Sequence, residues 1–249
     1  MTQLEVAQKL LRQGKTTVLT GAGISTGAGI PDFRGPDGLW TKNPKLSRIS
    51  HIADYLADPK VRELAWQVRI SGAAWKATPT ATHKALAAAA KQGLVQMILT
   101  QNTDGLHQAA GTPKDQLVEL HGTQRQWRCQ NCGRKGSMDE MADRMAAGEA
   151  DPHCEKCGGI TRPDVVLFGE NLSPVALQTS WQACTDCNCL LVLGSSLQVQ
   201  PAASFVALAV EYGANLVIVN QEPTPYNELA DVVISEDIQQ VVPKLFATA

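Results

Sequence analysis

No apolar run in this sequence approaches the length needed to cross a bilayer. The opening stretch, MTQLEVAQKLLRQGK, reads as an amphipathic helix and lacks the apolar core of a signal peptide. Positive charge is not in excess either: a formal net charge of -2 leaves no general basic field for nucleic acid. Membrane partners are therefore not expected, nucleic acid is disfavoured, and the expected location is the cytoplasm. Also missing is a fully paired disulfide framework, because the seven cysteines are an odd number. In a reducing compartment they are candidates for metal binding or chemistry. A further absence is local. The turn GAGIST has Gly21 and Gly23 in place for the dinucleotide fingerprint G-x-G-x-x-G, but Thr26 stands at the third glycine. No second strand with a terminal acidic residue comes after it; the chain continues instead as IPDFRGPDGLW, a loop rich in Pro, Gly and charge.

What is present fits a soluble chain of 249 residues, 44% hydrophobic and 18% charged, long enough for one large domain or for a large and a small one. Five short apolar runs recur: TTVLT, VQMILT, QLVEL, CLLVL and NLVIV, with a shorter sixth, DVVIS. Continuous rather than alternating runs suit strands buried on both faces of a parallel sheet. Helical patterns lie between several of them, THKALAAAAKQ and PAASFVALAVEYG among them. That alternation predicts an α/β fold with a doubly wound, Rossmann-like parallel sheet. In such a sheet ligands bind outside the carboxyl ends of the strands. Those ends carry GAGIS, QNTD, HG, GSS and NQE, which together on one edge form a coherent site.

Two stretches interrupt the pattern. Residues 31–78 hold two helical patterns and a loop, and residues 127–159 hold cysteines. The expected division is a nucleotide-binding domain of residues 1–30, 79–126 and 160–249, a helical module with a cofactor loop at 31–78, and a metal ribbon at 127–159. In the ribbon, CQNC and CEKC place Cys129, Cys132, Cys154 and Cys157 as two C-x2-C knuckles with twenty-one residues between them. Two-residue spacing lets both thiolates of a knuckle face one ion, and two knuckles close a tetrahedral zinc site with no open position, hence a structural one. Cys184, Cys187 and Cys189, in CTDCNC, read instead as small buried hydrophobes.

Taken in order, GAGIS, GIPDFRG, TQNTDGLH, ELHG, the two knuckles, RPDVVLFGE, GSSLQVQPA and VIVNQEPT resemble the sirtuins, NAD-dependent protein lysine deacylases. The resemblance runs from about Thr16 to Asp237. It implies that NAD is cleaved at its nicotinamide bond rather than used for hydride transfer, with the acyl group of an acylated lysine passing to ADP-ribose and nicotinamide released. By resemblance, Gly21, Ala22, Gly23 and Ser25 cradle phosphates and ribose. Asp32, Phe33, Arg34 and Trp40 belong to the nicotinamide-side loop. Gln101 contacts the nicotinamide ribose, and Asn102 and Asp104 line the nicotinamide pocket, Asn102 also counting as catalytic. His121 is the general base, able to take a ribose hydroxyl proton near neutral pH. Gly194, Ser195, Ser196, Asn220, Gln221 and Glu222 hold the adenosine half, and Ile238 counts among the cofactor-binding residues. Val166, Leu167, Phe168, Gly169 and Glu170 line the acyl-lysine channel, with an extended backbone suited to pairing with a substrate peptide.

Among the other histidines, His83 and His107 are expected to be structural, and His51 and His153 to lie on the surface. Thr103 stands where the family usually has an aliphatic residue. Sirtuins that remove succinyl or malonyl groups share a Tyr-x-x-Arg pair, whereas this chain offers Trp66 and Arg69 there, without the hydroxyl. The resemblance thus implies acetyl or another short neutral acyl group. A mono-ADP-ribosyltransferase using the same NAD site is the alternative reading.

Overall fold

The structure is a computed structural model that describes residues 1–32, 38, 42 and 44–247. Six parallel strands form its main sheet: β1 (Thr16–Thr20), β2 (Met97–Thr100), β3 (Leu117–Glu119), β7 (Cys189–Leu193), β8 (Asn215–Val219) and β9 (Val232–Ile234). Their order is β3-β2-β1-β7-β8-β9, the doubly wound arrangement the apolar runs predict. β1 pairs with β2 on one side (Val18 beside Ile98) and with β7 on the other (Val18 beside Leu191).

The sheet explains why the runs are continuous. Leu191 and Leu193 of β7 pack with Val18, Val217 and Val219 under the helices Gln3–Leu11, Ala81–Lys91 and Ile238–Phe246. The intervening Leu190 and Val192 pack with Leu19, Leu216 and Ile218 under the helices Pro174–Thr185 and Ser204–Glu211. Alternate side chains thus serve opposite faces, and both faces are covered. Local signals set the helix starts. Thr2 and Glu5 cap the first helix reciprocally, Thr80 and His83 do the same at Ala81–Lys91, and Ser137 and Glu140 at Met138–Ala146.

A second, antiparallel sheet holds β4 (Gly122–Cys129), β5 (Lys135–Ser137) and β6 (Thr161–Val165) in the order β5-β4-β6. The expected boundaries after 126 and before 160 differ from this, since the first cuts through β4 and the second leaves β6 with the main sheet. The reason is pairing at long range: Cys129 lies beside Thr161 and Gly122 beside Val165, contacts that no local pattern announces. Residues 44–76 contribute short helices, Ile52–Ala57, Pro59–Ser71 and Ala73–Lys76 among them. Trp66 joins this region to the ribbon, packing with Trp127, Met138, Met141, Cys129 and Cys154. No described helix is long and apolar enough to cross a membrane.

Candidate active site

β1 and β7 are neighbours, yet the chain leaves β1 toward β2 and leaves β7 toward β8, so the crevice of this parallel sheet opens at their carboxyl ends. The glycines there answer first to packing. The Gly21 amide donates to the Leu193 carbonyl at 2.9 Å and the Gly23 amide to the Gly194 carbonyl at 2.8 Å. A Cβ on Gly21 would lie 2.6 Å from the Gly194 carbonyl oxygen, and one on Gly23 2.7 Å from Gly194 Cα. Gly194 itself has φ +58. The two loops touch backbone to backbone, which leaves an open, side-chain-poor floor for a nucleotide.

Over this floor stands a tight polar cluster. Gln101 Nε2 donates to the Ser195 hydroxyl at 2.9 Å, and Asn102 Nδ2 donates to the Gly21 carbonyl at 3.0 Å and to the Ser25 hydroxyl at 3.2 Å. Ser25 in turn donates to Asp104 Oδ2 at 2.7 Å, and the Leu106 amide to Asp104 Oδ1 at 2.9 Å. Asp104 is buried and both of its carboxylate oxygens are engaged, so its orientation is set before any ligand arrives.

His121 follows β3, with Nδ1 2.9 Å from the Gln101 carbonyl. A carbonyl can only accept, so Nδ1 carries the proton and Nε2 presents a lone pair. Burial pulls the imidazole below its ordinary value, opposed by that hydrogen bond. The ring is therefore neutral near pH 7, the form a general base requires.

The channel segment is tied to the same histidine: the Val166 amide donates to the His121 carbonyl at 2.8 Å. The Leu167 amide donates to Glu170 Oε2 at 2.9 Å and the Phe168 amide to the Ser50 carbonyl at 2.7 Å. These three amides are therefore engaged within the chain. Glu170 also accepts from Arg162 at 2.5 Å and Arg128 at 3.1 Å, which braces the turn through Gly169. Phe168 is partly exposed beside the His51 ring.

Asn220 lies at the end of β8, its Nδ2 donating to the Glu222 carbonyl at 2.7 Å, with Gln221 and Glu222 exposed. Ser196 follows Ser195, and Ala22 lies between the two packed glycines. Ile238 opens the last helix, and its carbonyl accepts from the Thr82 hydroxyl at 3.1 Å. Asp32 is half-buried, while Phe33, Arg34 and Trp40 lie outside the described residues.

The four ribbon cysteines gather with all their sulfurs within 4.8 Å of one another. Cys129 and Cys157 are 3.5 Å apart, Cys132 and Cys154 3.7 Å. Tetrahedral bonds of about 2.3 Å to zinc would set sulfurs about 3.8 Å apart, so the group fits the ion. Cys184, Cys187 and Cys189 are buried in the main core as expected, and burial pushes their thiols up, Cys189 to about 12.

His83 and His107 are buried edge to face at 4.9 Å; His83 faces the Thr80 hydroxyl, and His107 Nε2 the Thr20 hydroxyl at 3.1 Å. Burial pulls them down to about 4 and about 3, so both are neutral structural groups. His51 and His153 are exposed. Sequence reasoning missed the buried Arg162 that clamps Glu170. It also gave Arg125 no part in the site. The signal that could have found the first is a pair of charged residues, Arg162 and Asp164, inside the short strand TRPDV.

The profile of the Sir2 family matches residues 21–201. An NAD-dependent protein deacetylase 2 of Streptomyces coelicolor is 46% identical over 92% of this chain and 95% of its own. Among solved structures, Sir2 with a p53 peptide and NAD+ superposes with TM-score 0.88 at 34% identity, covering 98% of this chain and 97% of that one. A Sir2 variant with deacetylated p53 peptide and 3'-O-acetyl-ADP-ribose reaches TM-score 0.90 at 33% identity, with the same coverage.

Proposed function

We propose a division of labour among these residues from one premise: the chain belongs to the Sir2 family and is an NAD-dependent protein deacetylase. NAD supplies the ribose that receives the acyl group, leaving nicotinamide and O-acyl-ADP-ribose as co-products. The packed floor of Gly21, Gly23 and Gly194, with Ala22, Ser25, Ser195 and Ser196, lies under the dinucleotide. Asn220, Gln221, Glu222 and Ile238 hold its adenosine end. Gln101 meets the nicotinamide ribose. Asn102 and Asp104 receive nicotinamide, and the Asp104 carboxylate is an acceptor already aimed by Ser25 and the Leu106 amide. Phe33, Arg34, Trp40 and Asp32 close the nicotinamide side. Val166 to Glu170 receive the acyl-lysine, on a segment whose backbone is held in place by Ser50, Ile52 and Glu170.

One observation carries the catalytic assignment: the Gln101 carbonyl accepts a hydrogen bond from Nδ1–H of His121 and so leaves the Nε2 lone pair free at the carboxyl edge of the sheet. Nε2 takes the ribose hydroxyl proton, and the same backbone run that places Gln101 places Asn102 and Asp104 beside it. Acetyl and other short neutral groups suit the channel. Trp66 is buried against the ribbon cysteines, and Arg69 donates to the Ala65 carbonyl at 3.3 Å, so the Trp66 and Arg69 pair offers no hydroxyl beside an arginine for a carboxylate. A cytoplasmic setting suits four cysteines gathered for a metal and three further buried thiols.

The test is incubation of the protein with NAD and an acetyl-lysine peptide, with products resolved by mass spectrometry. Deacetylated peptide, nicotinamide and O-acetyl-ADP-ribose are expected in equal amounts, with turnover reduced at least about a hundredfold in His121→Ala. ADP-ribose attached to protein, with the peptide still acetylated, would move the assignment to a mono-ADP-ribosyltransferase.

A further inference from the structure

The pairing of β4 with β6 is broken. Thr123 lies beside Asp164, but the next pair is Trp127 with Pro163, so Gln124, Arg125 and Gln126 bulge out of the ladder. Bulges of this kind re-aim side chains, often next to active sites. This one leans on the turn that carries the nicotinamide-side residues. The Gln124 amide donates to the Thr103 carbonyl at 2.9 Å, and Arg125 Nε donates to the Asp104 carbonyl at 2.9 Å.

The rest of the Arg125 guanidinium reaches a third part of the chain. One terminal nitrogen donates to the Ala74 carbonyl at 3.0 Å and the other to the Trp75 carbonyl at 3.4 Å, with the guanidinium carbon 5.7 Å from the Trp75 ring centre. Those carbonyls belong to the one-turn helix Ala73–Lys76, whose last carbonyls have no partner within the helix itself. A planar fork of donors can span three carbonyls in a way that an ammonium cannot. Room for its stem comes from Gly105, φ +75, where a Cβ would lie 2.9 Å from Arg125 Cγ. Among the described residues Arg125 forms no ion pair; its donors go to main-chain carbonyls.

We propose that Arg125 is a positioning residue for the nicotinamide end of the site, tying the Asp104 turn to the Ala73–Lys76 helix through one guanidinium. The proposal rests on the reading of Asn102 and Asp104 as the nicotinamide-receiving pair. It adds that this pair is held from the small module, across a bulge that begins three residues after His121. Arg125 touches no reacting atom. Its loss loosens the Thr103–Asp104 turn and leaves the base and the peptide channel in place.

The test uses the full, zinc-loaded chain with Arg125→Met, Arg125→Lys and Asp104→Asn. Steady-state kinetics give KM for NAD, KM for peptide and kcat, and labelled nicotinamide gives the inhibition constant and base-exchange rate. Arg125→Met should raise both the nicotinamide inhibition constant and KM for NAD about fivefold, what one net hydrogen bond is worth. KM for peptide should stay within about twofold, because the guanidinium bonds the Asp104, Ala74 and Trp75 carbonyls and not the channel segment. Arg125→Lys should fall between Met and wild type, a graded response that a general loss of fold would not give. If Arg125→Met fails to fold, Arg125→Lys carries the test at unchanged melting temperature and zinc content. Wild-type values for the Arg125 variants, with Asp104→Asn shifted, would overturn the proposal and spare the pocket reading. An unshifted Asp104→Asn would overturn the pocket reading itself, and the proposal with it.

Discussion

In the six-stranded sheet, Val18, Leu19, Leu191, Val192, Val217 and Ile218 are wholly buried, packed against apolar helix faces on both sides. In the three-stranded sheet the wholly buried large side chain is Arg162, bonded to Glu170, Gln130 and the Val165 carbonyl. In the helical region Arg62 is paired with Asp151 at 2.8 Å and also holds the Tyr55 and Leu56 carbonyls. The ribbon core is two tryptophans, two methionines and two of the metal-site cysteines. One region is thus held by removal of apolar surface from water, the other by a metal site and directional polar bonds around a small apolar centre. The difference has a functional use. The stiff sheet supplies the floor under the nucleotide, and the small module reaches back to the strand-end loops through Val166, whose amide bonds the His121 carbonyl, and Arg125, which bonds the Asp104 carbonyl.

The strongest way to separate the two regions is to remove the metal. Cys132 is exposed, so Cys132→Ser removes a ligand at little packing cost. Structural zinc contributes on the order of 10 kcal/mol or more to small metal domains. The expected outcome is loss of zinc, near-complete loss of deacetylation and red-shifted tryptophan fluorescence, because Trp66 and Trp127 both line the ribbon core. A cooperative melt from the main sheet should persist. Cys187→Ala, in the other core, should cost only about 1 kcal/mol and leave zinc bound. Equal effects of the two substitutions would erase the distinction.

Next in size is the buried ion pair. Arg62→Met leaves Asp151 without its partner and should destabilise the small module by about 3 kcal/mol. Leu191→Ala should cost a similar amount through a cavity, but in the melt of the main sheet. Denaturation followed by tryptophan fluorescence and by far-ultraviolet circular dichroism assigns each loss to its region. A single shared transition for both variants would show that the regions unfold together.

The smallest effect sharpens the comparison from the other side, because the main domain has its own buried titratable pair. His83 and His107 are neutral in the fold, lowered to about 4 and about 3 against an unfolded value near 6.5. Between those values the unfolded chain binds more protons, so their stabilising contribution is intact above about pH 6.5 and is lost as pH falls toward about 4. Burial raises the Glu119 carboxyl, which acts in the opposite sense. The readout is therefore a difference: melting temperature should fall less steeply between pH 7 and pH 5 in His107→Gln than in wild type. Parallel slopes would reject the assignment.

How much of this was readable in the chain varies by element. TTVLT, CLLVL and NLVIV became β1, β7 and β8 residue for residue, since burial on both faces demands unbroken apolar runs. VQMILT and QLVEL were right as strands but long at their ends, where Val95, Gln96, Gln116 and Leu120 lie outside the ladder. The knuckles were readable because both ligands of a C-x2-C come from one short window. The ribbon's extent was not, because β4 finds β6 some forty residues away only through tertiary pairing.

The sequence by itself determined the doubly wound class, the zinc ligands and the family, all properties of local periodicity, spacing and ordered motifs. The tertiary structure decided which nitrogen of His121 carries the proton, because the accepting carbonyl belongs to Gln101 on another strand end. It decided that Gly21 and Gly23 serve contact with Gly194, more than 170 residues away, and that Trp66 turns toward the ribbon. It also decided that Arg125 spends its donors on Ala74, Trp75 and Asp104. Each depends on a partner distant in the chain. Hydrogen bonds and close contacts act over a few ångströms in space, whatever the separation in sequence.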